Sequence, residues 1–255
     1  MNAKRLRDHW RRSWRRHLAT AAKLLRRPGP LNPEAVHALR VALRRCRLLL
    51  TVAGKSPHRA RRRAFRAAAR AALDQFAPVR DLDVTIEWAA AQHASPAILA
   101  RLHRRRALAA LRADRALAGK RAALRPGRVR KTGRTDAGKL ARRHRRWLTA
   151  LANHCRAQAR RARQLSIPQL HELRREIRRW RYLRELEVRA NHPAVTRLVA
   201  AQEALGGVQN SEVVLKALRA VRAPRGLLAQ ARLEWAASRK LAVRELARCL
   251  GGKRN

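Results

Sequence analysis

The stretch His37-Ala38-Leu39-Arg40-Val41-Ala42-Leu43-Arg44-Arg45-Cys46-Arg47 returns 134 residues later as His171-Glu172-Leu173-Arg174-Arg175-Glu176-Ile177-Arg178-Arg179-Trp180-Arg181. Both copies read H-x-x-R-x-x-x-R-R-x-R, with apolar residues at matching positions between the charges. An arginine-rich composition matches Arg to Arg often. It does not readily also match His to His and keep the spacing, so the two copies mark an internal repeat. On an α-helix, at about 100° per residue, His37, Arg40, Arg44 and Arg47 fall within an arc of about 80°. Leu39, Leu43, Cys46 and Leu50 occupy a neighbouring arc of about 60°, and Arg45 points elsewhere. The second copy sets out His171, Arg174, Arg178 and Arg181 in the same way beside Leu173, Ile177 and Trp180. Each motif therefore reads as a helix with one face for a bundle core and the adjacent face a stripe of cations.

A second pair of segments follows the motifs. Phe76-Ala77-Pro78-Val79-Arg80-Asp81-Leu82-Asp83-Val84 aligns with Leu205-Gly206-Gly207-Val208-Gln209-Asn210-Ser211-Glu212-Val213. Each is an apolar residue, a break, and a polar turn that carries an acid. The order of elements is thus duplicated as well as one motif.

The remaining chain fits an all-α protein. Ala, Leu and Arg dominate, and these are the strongest helix formers. Breakers at Pro28-Gly29-Pro30, Ser56-Pro57, Pro78, Ser95-Pro96, Pro126-Gly127, Gly133, Pro168, Pro193, Gly206-Gly207 and Pro224 separate helical segments. These are predicted at about 3–26, 33–53, 57–76, 79–93, 96–123, 137–164, 168–190, 193–206, 210–222 and 225–249. At the amino end Leu6, Trp10, Trp14, Leu18, Ala21, Ala22 and Leu25 recur at helical spacing, which marks a folded helix rather than a targeting peptide. Residues 126–138 form the linker between a first helical half, 1–125, and a second, 139–255, with five predicted helices each.

The chain of 255 residues carries 63 Lys and Arg against 16 Asp and Glu, a formal charge of +47. With 46% hydrophobic residues it is no disordered basic tail. Such an excess repels itself in a compact body and calls for an anionic partner: nucleic acid, polyphosphate or an anionic membrane surface. No apolar run is long enough for a membrane span. Cys46, Cys155 and Cys249 are odd in number and widely spaced, which argues against a disulfide framework and a zinc site and suits a reducing, cytoplasmic compartment.

The stripe of the first motif has almost no compensating acid. Glu34 alone lies near it, so i,i+4 ion pairing does not explain its arginines. In the second copy Glu172, Glu176 and Glu185 do appear. Arg suits a phosphate polymer because its planar fork gives bidentate, permanently charged donors. A metal at His37 or His171 is excluded by the three cations that follow each on its own face; these histidines are expected to donate to a phosphate or to orient a neighbour. Asp81 and Asp83 are read as acids at a helix start, where they favour unpaired amides and the dipole. Asp81 is also a candidate to hold an arginine of the stripe in place. Glu185-Leu186-Glu187-Val188-Arg189 resembles the glutamate-rich strand of triphosphate tunnel enzymes. Here it is read as helix, with its two glutamates about 200° apart and unable to share a metal. There is no phosphate-binding glycine loop and no nucleophile elbow, and no general base or metal carboxylate cluster emerges. The chain is not expected to be an enzyme.

The doubled H-x-x-R-x-x-x-R-R-x-R helix, with Ala77-Pro78-Val79-Arg80-Asp81-Leu82-Asp83-Val84 after the first copy and Leu205-Gly206-Gly207-Val208-Gln209-Asn210 after the second, resembles the CHAD domain, the conserved histidine α-helical domain. The resemblance spans roughly residues 3–250 and implies a single domain over 1–255. It implies two related helical bundles about a pseudo-two-fold axis, with a basic groove or pore that binds inorganic polyphosphate, in some bacteria at polyphosphate granules. It carries over His37, Arg40, Arg44, Arg45 and Arg47, and His171, Arg174, Arg178, Arg179 and Arg181, as the motif residues for polyphosphate. It implies no cofactor and no metal, and without a tunnel domain it implies no hydrolysis. This chain departs from the family pattern in having Ala77-Pro78 where a Gly is usual, and Gln209-Asn210-Ser211 where Asn-Asp is usual. Sequence-independent nucleic-acid binding is the competing expectation from charge. Aromatic content of 4% leaves few stacking platforms for single strands, and no groove-reading motif is evident.

Overall fold

The computed structural model describes residues 1–27, 29–54, 58–124 and 136–251. Among these, helices account for all regular structure and no strand occurs. The order is α1 (Ala3–Leu25), α2 (Pro33–Ala53), α3 (Arg59–Gln75), α4 (Ala77–Ala91), α5 (Pro96–Leu117) with a 3-10 extension (Ala118–Leu124), α6 (Ala137–Arg160), a short 3-10 turn (Ala162–Gln164), α7 (Ile167–Arg184), α8 (Pro193–Ala220) and α9 (Arg225–Leu250). The chain divides into two compact units, Met1–Arg143 and His144–Asn255. Most of the linker expected at 126–138, with the breakers at Pro28, Ser56-Pro57, Pro126-Gly127 and Gly133, lies outside the described residues. Ala137 and Gly138, its last two positions, already belong to α6, whose start is marked by Asp136 Oδ1 accepting from the Lys139 amide at 2.7 Å.

In the first unit α1 packs along α2. Leu6, Trp10, Trp14, Leu18, Ala21, Ala22 and Leu25 are all buried, as their spacing demands. Trp10 stacks on Trp14 with ring centroids 6.1 Å apart, and Trp14 meets Phe65 of α3 edge-on at 5.6 Å. The Trp10 indole N–H donates to the Leu49 carbonyl of α2 at 3.3 Å, which satisfies the one polar atom this buried ring carries. Asn32 caps α2 by accepting from the Ala35 amide at 2.9 Å, and Pro33 opens the helix, where its missing N–H costs nothing. At the other end Gly54 takes a positive φ of 73°. Arg143 donates to the Ala53 carbonyl at 2.6 Å and Arg62 to the Gly54 carbonyl, so two guanidiniums satisfy the negative end of the α2 dipole. A Cβ added at Gly54 would collide with the Arg143 guanidinium.

In the second unit α9 packs along α8, and α8 against α7. Two expectations are corrected here. The predicted break at Gly206-Gly207 is absent: α8 runs unbroken through both glycines. A Cβ at Gly206 would sit 3.2 Å from Arg174 Nη2, and one at Gly207 3.4 Å from Ser238 Oγ of α9. The pair therefore makes room for close neighbours on two sides, and packing overrides the low helix propensity of glycine. Conversely, the helix expected to reach 190 stops at Arg184. Glu185 to Val188 form a turn in which the Glu187 and Val188 amides both donate to the Arg184 carbonyl. That turn is held by Glu187, whose carboxylate accepts from Arg184 Nη1 at 2.6 Å and lies 3.2 Å from His144 Nε2 on α6. These two contacts hold the Glu187 carboxyl below its usual range, with the bond from buried His144 the larger cause.

Candidate functional site

Both motif helices present the face the periodicity requires. On α2, Leu39, Leu43, Cys46 and Leu50 are buried, while Arg40, Arg44 and Arg47 are half-buried and His37 is exposed. On α7, Leu173, Ile177 and Trp180 are buried, His171, Arg174, Arg178 and Arg181 are half-buried, and Arg175 and Arg179 are exposed.

In the first unit, His37, Arg40, Arg44 and Arg80 form one cationic cluster. The pKa of His37 is lowered first by burial, then by the charges of Arg80, Arg44 and Arg40 in that order. Arg80 stands on α4 and is absent from the residues singled out by the motif. Its place at the aligned position of the repeat was the available signal. The helix starts at Ala77 instead of 79, which puts Arg80 in the second turn of α4 and Asp81 and Asp83 beyond the reach of a cap. This corrects the helix-start reading of the two acids. Asp83 is buried and pairs through Oδ1 with Arg106 Nε of α5 at 2.9 Å, and Arg106 Nη2 donates to the Leu31 carbonyl at 2.7 Å. Arg106 thus ties α4 to the residue just before the α2 cap and sets where His37 stands. Beside the cluster lies a groove of about 890 Å³ lined by His37, Arg80, His103 and Arg106, and also by Glu34 and Glu87.

Two motif arginines at equivalent positions serve partly as tethers. Arg40 donates to the Leu73 carbonyl near the end of α3. Arg174 donates to Gln209 Oε1 of α8 at 2.7 Å and lies over Gly206. Burial, and secondarily the neighbouring charge of Arg181, lower the pKa of Arg174. Arg45 departs from the stripe toward α1: its charge, after burial, is the largest cause that brings His17 down to about 4.

The second stripe meets acids of its own unit. His171 Nε2 lies 3.0 Å from Glu212 Oε2, Arg181 Nε lies 3.4 Å from Glu185 Oε1, and Arg179 Nη1 lies 3.8 Å from Glu172 Oε1. Among the described residues no group of three or more His, Cys, Asp or Glu is arranged to hold a metal ion. No described helix is long and apolar enough to cross a membrane.

The chemistry available is anion binding: guanidinium and imidazole donors in register along a helix, with no nucleophile–base pair among them. Comparison with known proteins agrees with the fold. The family model of the CHAD domain matches residues 12–219. The crystal structure of the CHAD domain from the plant Ricinus communis superposes with a TM-score of 0.64 at 18% identity, over 98% of this chain and 92% of that one. PptA from Streptomyces chartreusis superposes with a TM-score of 0.60 at 19% identity, over 96% of this chain and 98% of that one. No protein of curated function matches the sequence significantly.

Proposed function

Because this chain belongs to the CHAD domain family, we propose that it binds inorganic polyphosphate non-enzymatically, through the His/Arg faces of α2 and α7, and that it does so at polyphosphate granules. The observation that carries this reading is the His/Arg face itself: His37, Arg40, Arg44 and Arg47 along α2, and His171, Arg174, Arg178 and Arg181 along α7, each beside a buried apolar face. Four donors in register along about three helical turns match a ligand with a negative charge on every repeat unit. A charge-assisted hydrogen bond contributes about 1.5–3 kcal/mol, and successive phosphates engage several at once. The net charge of +47 adds long-range attraction.

Nucleic acid is the competing ligand, favoured by the charge alone. Long-chain polyphosphate is expected to raise the melting temperature, as any ligand confined to the folded state must, and to bind with a steep inverse dependence on salt. In a competition at physiological salt, polyphosphate should displace duplex DNA at equal phosphate concentration. Displacement of polyphosphate by DNA would favour the nucleic-acid reading, and phosphate release in Mg²⁺ would show catalysis.

The pKa of His37 gives a pH dependence of definite sign. Burial and the charges of Arg80, Arg44 and Arg40 hold it below the ordinary 6.5, which favours the neutral ring at pH 7. A bound phosphate chain favours the charged ring and raises that pKa. Between the two values binding takes up a proton, so affinity should rise as pH falls below 7 and level off above the ligand-bound value. His37→Gln should remove the rise. Isothermal titration in two buffers of different ionisation enthalpy measures the proton uptake directly.

A further inference from the structure

The cationic face of the first motif continues past Arg47. One turn on, Thr51 lies at the centre of the arc that His37, Arg40, Arg44 and Arg47 occupy on α2. Its hydroxyl donates to the Arg47 carbonyl at 3.0 Å and accepts from Arg66 Nη2 of α3 at 3.4 Å. A neighbouring helix thus brings a guanidinium to the turn where the motif helix has a neutral side chain. Arg40 reaches the Leu73 carbonyl near the end of α3, and Arg66 meets Thr51 near the end of α2, so the two helices run antiparallel. Arg66 belongs to a row. Arg59, Arg63, Arg66 and Arg70 fall within an arc of about 60° on α3. All four are exposed, while Phe65, Ala68, Ala69 and Ala72 are buried. Arg70 stands 3.7 Å from Asp74. Among the described residues no acid pairs with Arg59, Arg63 or Arg66. The row is not a by-product of the repeat. Carried back along the alignment of Phe76 with Leu205, Arg66 and Arg70 fall opposite Val195, which is buried, and Val199, which is half-buried. Cations crowd this end of α2: burial, then the charges of Arg66 and Arg143, bring Arg62 down to about 10.

We infer that Arg66, Arg63 and Arg59 carry the polyphosphate track of the first unit beyond the motif and onto α3, so that this unit favours chains long enough to engage both helices. A chain that leaves Arg47 meets Arg66 next, then Arg63 and Arg59 on the turns that follow. At 1.5 Å per residue these three add about 10 Å of track. Each offers the planar, permanently charged fork that suits phosphoryl oxygens. A short oligophosphate is held by the motif alone and gains nothing from donors it does not reach. A long chain adds their contacts to those of the stripe. This extension rests on the polyphosphate reading above.

The test uses two probes, long-chain sodium polyphosphate and sodium tripolyphosphate, against three full-length proteins. These are wild type, Arg59→Gln with Arg63→Gln and Arg66→Gln, and Arg104→Gln with Arg112→Gln and Arg115→Gln. The last set removes the same charge from exposed positions of α5. Neutralising the α3 row should weaken long-chain binding by about tenfold or more at low salt. It should also flatten the slope of log K against log salt by about two, since each phosphate contact contributes ~0.7 on a single strand. Tripolyphosphate affinity should change by less than about twofold in the same variant, and the α5 set should leave the long-chain slope unchanged. All substituted side chains are exposed, so the three proteins should melt together. Equal losses in the two triple variants, or an equal loss of both probes in the α3 variant, overturn the inference. Wild type that binds neither probe overturns the underlying reading instead.

Discussion

Replacing Arg44 and Arg178 together by Glu should weaken polyphosphate binding by at least about a hundredfold, each lost charge-assisted contact being worth about 1.5–3 kcal/mol. Both stand at the centre of their stripes, with the motif histidine one side and Arg47 or Arg181 the other. Reversal therefore removes a donor and places a repelling charge in the middle of the track. Folding should be little affected, because both side chains are half-buried and flank the core instead of entering it. Reversal of two arginines in the linker segment, Arg128 and Arg134, changes net charge equally and should cost less than about fivefold, a loss of long-range attraction alone. Fluorescence anisotropy with labelled polyphosphate at two salt concentrations measures both. Equal losses would mean that the surface as a whole does the binding.

Asp83→Ala should lower the melting temperature by roughly 6–20 °C. Breaking a buried ion pair by removing one partner costs about 3–5 kcal/mol, and for a chain of this length one kcal/mol moves the transition by about 2–4 °C. The Asp83 side chain is 2% exposed and that of Arg106 15%, so the guanidinium left behind keeps its charge out of water with only the Leu31 carbonyl to serve it. Asp74→Asn is the control, because the Arg70–Asp74 pair is 73% and 68% exposed and exposed pairs contribute little. It should move the transition by no more than about two degrees. Far-ultraviolet circular dichroism on heating checks both. Since Arg106 also fixes the entry to α2, polyphosphate affinity should fall in the same variant below its transition. A melting temperature unchanged by Asp83→Ala would show that Arg106 finds other acceptors.

The two motif helices were legible in the sequence because two signals coincide in them. Helical spacing of Leu39, Leu43, Cys46 and Leu50 defined a buried face, and the second copy kept that register with Leu173, Ile177 and Trp180. Helix existence followed from composition and breakers, and α1 from the spacing of its two stacked tryptophans. What failed to show was decided at a distance. Gly206-Gly207 carries the local marks of a break, yet Arg174 and Ser238 fill the space the missing side chains leave. The end of α7 at Arg184 depends on Glu187 reaching His144, more than forty residues earlier in the chain, so no neighbouring residue announces it. Arg80 escaped notice because a helix start placed two residues late turned its neighbours Asp81 and Asp83 into caps. With the start at Ala77, Asp83 faces α5 and Arg80 joins His37.

The uninterrupted course of α8 has a mechanical consequence. Two adjacent glycines in mid-helix are its softest backbone, each weaker than alanine by roughly 0.5–1 kcal/mol, and one of them lies directly beneath the Arg174 guanidinium that fills its notch. An anion that drew Arg174 outward would empty that notch and loosen the helix at the same moment. Arrival of ligand on one side chain would thereby be transmitted to the amide ladder of a neighbouring element, where quickened hydrogen exchange would register it.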